Sequence, residues 1–342
     1  MKGYEEMINS FLKSLIFVFS TPALIQVAHA ATITAPSCSQ SDVQAAIASA
    51  SDGDTVNVPA GNCTWNSGIE LTDKTITLRG AGASDTGTKI TYGGTGYSLI
   101  TVRAGEKTGK VDISGFWLSG GDPDYWNGTA MSLYGPVGWK NLRVHHMTFD
   151  NNIQWALAVY APTYGIIDHC VFRGESHGIK TYGRGATDWS TPLALGTSDF
   201  FFIEDNTFDW ADWYGATGVA SLDMFAGGRV VFRNNHLRYG FAETHDRARS
   251  GLASANAYEI YNNTFWTDSN KWKAMDITAG TGVIWGNTIS GDFSVPIGAI
   301  DYKTADPRSI PPCDGNDPAD QNTPGESGWR CQYQIGSQGP QS

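Results

Sequence analysis

Ile203 to Phe208 read IEDNTF, and the chain carries six further copies of this phrase. Its form is an apolar residue, two variable ones, an Asn or a small or apolar residue, one more variable residue and a closing apolar one. The other copies are ISGFWL (Ile113 to Leu118), VHHMTF (Val144 to Phe149), IDHCVF (Ile167 to Phe172), FRNNHL (Phe232 to Leu237), IYNNTF (Ile260 to Phe265) and IWGNTI (Ile284 to Ile289). In chain order the closing residues lie 31, 23, 36, 29, 28 and 24 apart. A repeat of this length with variable insertions marks a solenoid, because so short a unit buries its apolar face only against its neighbour. Each phrase is too short for a helix and rich in β-branched and aromatic residues, so it reads as two short strands meeting at a bend. Its fourth position holds Phe116, Met147, Cys170, Asn206, Asn235, Asn263 and Asn287. Stacked Asn side chains at such a bend can hydrogen-bond from coil to coil and satisfy the turn backbone. The expected fold is all-β, a single-stranded right-handed parallel β-helix.

Working outward, residues 1–30 read as a secretory signal. Lys2 and Lys13 flank its start, Leu12 to Val27 is largely apolar, and Ala28-His29-Ala30 offers a small-x-small cleavage site. No later apolar run is long enough to span a membrane. Ser41 to Ala50 (SDVQAAIASA) reads as a helix capped by its Ser, placed to cover the open end of the first coil. Ile69 to Leu78 and Lys89 to Val102 supply early coils, the β-helix with its cap fills residues 31–303, and residues 304–342 form an irregular loop or cap. Cys38 with Cys63 and Cys313 with Cys331 are expected to be disulfides closing the two ends, leaving Cys170 as a buried thiol on the Asn row. The net charge of −11 excludes nucleic acid as a general partner. With 12 Trp, the chain has more aromatic surface than a solenoid core needs.

The opening SDVQAAIASASDGDTVNVPAG, the Asn-bearing phrase and the tail PPCDGN…GWRCQYQIG resemble secreted bacterial parallel β-helix proteins of the pectate-lyase-like superfamily. The resemblance spans nearly everything after the signal segment. It implies a monomer that binds an extended polysaccharide in a groove. The Arg-x-Pro-x-x-Arg signature of the main pectate lyases is absent, so the resemblance specifies the fold and not one activity.

A further short strand follows each phrase: AMSLY from Ala130, ALAVY from Ala156, GIKTY from Gly178, SLDMF from Ser221, AETHD from Ala242, AMDIT from Ala274 and AIDYK from Ala299. Side chains alternate faces, so placing the Met, Leu, Ile and Val residues inward sends Ser132, Ala158, Lys180, Asp223, Glu243 or His245, Asp276 and Asp301 outward. Stacked like charges repel, which makes an acidic row headed by a lysine unsuited to a plain solvated face. Two residues on, Tyr134, Tyr160, Tyr182 and Phe225 form a file whose flat faces suit sugar rings. The longest insertions carry Trp126, Arg184, Trp213 and Tyr214 to the same strands, with His177 and Glu175 at the groove lip.

Two reactions fit. β-Elimination on a uronic-acid polymer needs a base and a cation that neutralises the carboxylate. Lys180, Arg247 or Arg249 can serve as base or clamp, His245 can move a proton, and Asp223, Glu243, Asp276 and Asp301 can hold Ca2+ through oxygen. Hydrolysis instead needs paired carboxyls, with Asp276 and Asp301 on adjacent coils or Asp223 and Asp276 two coils apart. A non-catalytic glycan-binding adhesin would use the aromatic file alone. His146, His169 and Asp205 share one phrase position, a pattern that metal ligation or turn formation would explain. The row continues into Asn234 and Asn262, which favours the turn.

Overall fold

The computed structural model describes residues 30–94, 98–120, 128–151, 154–174, 176–185, 188, 191–212, 215–245 and 254–299. The chain winds into coils whose strands stack in parallel on the coil before. One sheet has ten strands, from Thr32–Thr34 to Thr281–Trp285. Two further stacks are joined into a single path because Thr264–Ile277 runs through both without interruption. The chain is therefore a parallel β-helix, as the repeat predicts.

Each of the seven phrases is the expected pair of strands, one on the ten-stranded sheet and one on the second stack. Phe201–Glu204 followed by Thr207–Trp210 is an example. The third position of every phrase makes the bend in the left-handed region: Gly115, His146, His169, Asp205, Asn234, Asn262 and Gly286 have φ between 52° and 77°. That conformation is open to Gly and tolerated by Asn, Asp and His, which explains the residue types there. The row of His146, His169 and Asp205 is thus a backbone requirement, with the two imidazoles stacked at 5.2 Å.

At the fourth position the Asn ladder forms as expected. Asn206 Nδ2 donates to Asn235 Oδ1 at 3.1 Å, Asn235 Nδ2 to Asn263 Oδ1 at 3.0 Å, and Asn263 Nδ2 to Asn287 Oδ1 at 3.0 Å. Each Asn also accepts from a bend amide of the preceding coil, and the ladder ends where Asn206 Oδ1 accepts from the Cys170 amide. Cys170 is buried, with burial pushing its thiol far up. Beside the ladder, Phe149, Phe172 and Phe208 stack face to face at 4.8 and 4.6 Å inside the coils. Each buried ring contributes roughly 1.5–3 kcal/mol relative to exposure.

The N-terminal helix spans Gln40–Ser49, and Ser39 rather than Ser41 caps it, accepting from the Asp42 amide. Two serines within three residues offer alternative caps, and only packing chooses between them. Val43, Ala46 and Ile47 are buried. Gln44 pairs with the backbone of Glu70 in both directions, which satisfies the open edge of the strand Ile69–Thr72. The Cys38–Cys63 disulfide ties the segment before the helix to the strand Gly61–Trp65. Cys313 and Cys331 lie outside the described residues.

Candidate functional site

The third stack comprises Ile69–Thr72, Ile100–Arg103, Thr129–Tyr134, Trp155–Tyr160, His177–Tyr182, Val219–Phe225 and Gly240–Thr244, followed by the later parts of Thr264–Ile277 and Thr288–Ala299. Its register sets Ser132, Ala158, Lys180, Asp223, Glu243 and Asp276 side by side, as the alternation predicts. Met131, Leu157, Ile179, Leu222 and Met275 alternate with them into the core.

The last coil differs from the expectation. Gly298, not Asp301, pairs with Asp276, because Thr288–Ala299 pairs with Thr264–Ile277 along most of its length and its register shifts by two residues between Thr267 and Lys271. Asp301 itself lies outside the described residues. Asp276 stays in the row, but its carboxylate forms a buried ion pair with Lys273, both side chains being 1% exposed.

The aromatic file is also placed as expected but serves differently. Tyr134 and Tyr160 stack at 4.5 Å, Tyr160 and Tyr182 at 5.2 Å, and Tyr182 and Phe225 at 5.2 Å, within 15° of parallel. Strand spacing nearly equals ring-stacking distance, so the rings cover one another's faces and leave none for a sugar. Their edges and hydroxyls remain. The Arg103 guanidinium covers one end of the stack, 4.4 Å from the Tyr134 ring centroid, and His245 closes the other, 4.3 Å from Phe225.

That last contact brings His245 into a cluster. Its Nδ1 hydrogen-bonds Asp223 Oδ1, and its Nε2 lies 3.5 Å from Glu243 Oε1. Asp223 and Glu243 are almost fully buried. On the adjacent strand, Lys180 Nζ sits 4.3 Å from the centroid of the Trp155 ring, which belongs to an apolar wall with Ala220 and Phe241. Burial lowers the Lys180 pKa, and Asp223 pulls it part of the way back. His177 packs on Trp155 and donates from Nδ1 to the Gln154 carbonyl at 3.2 Å; burial lowers its pKa too, favouring the neutral ring. Tyr182 is pushed up to about 12, by burial and then by the charge of Asp223.

Arg184 lies beyond the end of its strand, held by Asp188 with Nε to Oδ1 at 2.8 Å. It lines a cleft with Lys140, Tyr164 and Arg229. Of the expected ligand set, Asp223, Glu243 and Asp276 are neighbours in the row, and Asp301 lies outside the described residues. Among the described residues, Asp223, Glu243 and His245 bring ligand atoms within 4.8 Å of one another, while Asp276 is taken by Lys273. Trp126, Glu175, Trp213, Tyr214, Arg247 and Arg249 lie outside the described residues. Trp155 and Lys273 were missed. Trp155 falls on the alternation two residues before Leu157, and Lys273 lies three residues before the Asp276 it neutralises.

No family model matches the sequence, and no curated protein matches it. Solved structures similar in fold include an alginate lyase from Paenibacillus sp. str. FPU-7, at 16% identity and TM-score 0.49 over 78% of this chain and 98% of that one. A pectin methylesterase in complex with a hexasaccharide matches at 14% identity and TM-score 0.35 over 81% and 94%. The A-module of the Azotobacter vinelandii mannuronan C-5 epimerase matches at 14% and 0.24 over 76% and 93%.

Proposed function

We propose that this protein is an exported enzyme that cleaves a uronic-acid-containing polysaccharide by β-elimination. The observation that carries the reading is Lys180, a lysine whose pKa is lowered by burial against Trp155, beside the Asp223–His245–Glu243 cluster. A base must be neutral to accept a proton, and desolvation supplies neutral amine at lower pH than an exposed lysine allows. Lys180 Nζ takes the C5 proton of the uronate, the C4–C5 double bond forms, and the C4–O bond breaks. The departing oxygen receives a proton from His245, whose ring is oriented by Asp223. Arg247 and Arg249, two and four residues after His245 in the sequence, are assigned to neutralise the substrate carboxylate.

Hydrolysis is less well supported. Asp276 is withdrawn from solvent by Lys273, and its expected partner across the adjacent strands is a glycine. Nor does the donor set fit Ca2+, which takes six to eight oxygen ligands. Here His245 hydrogen-bonds one carboxylate and lies close to the other, so a cation would have to displace it. No step is assigned to a metal.

The test is ultraviolet absorbance of the unsaturated product across a panel of polyuronates, run with and without EDTA, beside a reducing-end assay on neutral glycans. Absorbance that rises equally with EDTA, and vanishes in Lys180→Met while binding persists, is expected. New reducing ends without absorbance would overturn elimination. Binding without either product would make the protein a glycan-binding module.

A further inference from the structure

The unit that contains the β-helix begins at Ala31, which follows Ala28-His29-Ala30 in the sequence. Ala31 is held at both of its backbone polar groups. Its N–H donates to Asp54 Oδ1 at 2.7 Å, and its carbonyl accepts from the Thr55 amide at 2.8 Å. From there the chain enters Thr32–Thr34, which pairs with Thr55–Val58 as the first strand of the ten-stranded sheet. Asp54 is only 7% exposed, and its other oxygen accepts from the Ser51 amide at 2.8 Å. Lys74, the nearby cation, directs its ammonium to the carbonyls of Ala48 and Ala50. The carboxylate accepts at both oxygens, which an amide side chain with its single oxygen could not do, and the Ser51 and Ala31 amides, with the Lys74 charge behind them, hold its pKa below the usual carboxylate value. A cationic donor at the Ala31 nitrogen would turn one of these bonds into an ion pair with a carboxylate that is already ionised.

We propose that the Ala30–Ala31 bond is the maturation site and that Asp54 is the built-in receptor for the α-ammonium group released there. The inference rests on the export reading. In the cleavage, a secretory peptidase directs water onto the Ala30 carbonyl, the C–N bond breaks, and the Ala31 nitrogen leaves as an amine that is protonated near neutral pH. The nitrogen that donated as a neutral amide then donates as a cation, and charge-assisted hydrogen bonds are roughly twice as strong. Processing therefore fastens the first strand, Thr32–Thr34, with an ion pair that the precursor does not have.

The experiment determines the N-terminal sequence and mass of the exported protein, then measures acylation of its α-amino group against pH. It compares the wild-type protein, Asp54→Asn, and a form that retains Ala30 as one extra leading residue. Expected are an N-terminus at Ala31 and acylation slowed about tenfold at neutral pH, corresponding to an α-amino pKa about one unit above its ordinary 7.7–8.0. Both comparison forms should react at the ordinary rate. Retention in the cell with the leader intact would overturn the export reading and the proposal with it. Export with a different N-terminus would overturn the site alone, and an Ala31 amine that reacts at the ordinary rate would overturn the Asp54 receptor alone.

Discussion

Replacing Asn235 by alanine tests the Asn ladder where it is fully enclosed. The side chain takes part in four hydrogen bonds: Nδ2 to the Ile203 carbonyl at 2.9 Å and to Asn263 Oδ1 at 3.0 Å, and Oδ1 from the Asn206 amide at 3.0 Å and from Asn206 Nδ2 at 3.1 Å. Two of the partners keep another bond, since Asn206 Nδ2 still reaches the Ile167 carbonyl and Asn263 Oδ1 still accepts from the Asn235 amide. The Asn206 amide is left unsatisfied in a site with no exposure, whereas the Ile203 carbonyl stays in the ladder between Phe201–Glu204 and Arg229–Arg233. At about 1–3 kcal/mol for an orphaned buried group, the substitution costs about 1–3 kcal/mol. Asn287, the last rung, is less enclosed, and removing it orphans one amide nearer to solvent, since the Ile260 carbonyl stays in the ladder between Ala257–Tyr261 and Thr281–Trp285. Asn287→Ala should cost about 1 kcal/mol, because water can replace the lost partners. Urea unfolding followed by circular dichroism gives both values. Equal losses for the two variants, or an Asn235→Ala loss under 1 kcal/mol, would refute the claim that burial gives the ladder its strength.

Three further outcomes are expected. Turnover should rise with pH as Lys180 loses its proton, with an inflection below that of an ordinary lysine; Asp223→Asn, which removes the charge that raises the Lys180 pKa, should move the inflection lower still, as initial-rate profiles of both proteins will show. Reducing the Cys38–Cys63 bond, which closes a separation of 25 residues, should remove roughly 3 kcal/mol from the N-terminal coil and lower the melting temperature, with Cys170 unreactive to thiol reagents until unfolding. Burial opposes ionisation of Asp168, but hydrogen bonds from Arg143 and His169 prevail and hold its pKa below the usual carboxylate value. A depressed carboxyl stabilises the fold above its unfolded pKa and loses that contribution as pH falls, so the gap in urea midpoint between wild type and Asp168→Asn should be full at neutral pH and close towards pH 3.

Much of this molecule was legible in the chain. The phrase gave the coil, the ladder and the bend, because a repeated bend fixes the residue type at both of its positions. The Lys180, Asp223, Glu243 and Asp276 row followed from the alternation of Ile179, Leu222 and Met275. It failed at the last coil because Val295, Ile297 and Ala299 alternate as convincingly as Ile300 and its neighbours. Only pairing with Thr264–Ile277 distinguishes them. The aromatic file was found but misread, since letters carry no distances and ring stacking is decided by strand spacing. Arg184 and Asp276 were assigned to the groove for their charge, and their partners Asp188 and Lys273 were not considered. His245 was uncertain in register, and only the fold shows it turning back to join Asp223 and Glu243.

In the second half of the molecule the ladder rungs recur every 29, 28 and 24 residues, and the Asn row continues from one rung to the next. The natural unit of change in such a chain is therefore one whole turn of the solenoid. A single-residue insertion in a strand would reverse every face beyond it, whereas a duplicated turn would add one rung, one core layer and one groove position while leaving the rest in phase. Copying the segment between Asn235 and Asn263 would displace the Lys273–Asp276 pair by one strand spacing and leave Lys180, Asp223 and His245 together. Reach along a polymer and the chemistry performed on it are thus separable properties of this architecture, and lineages could alter the first without disturbing the second.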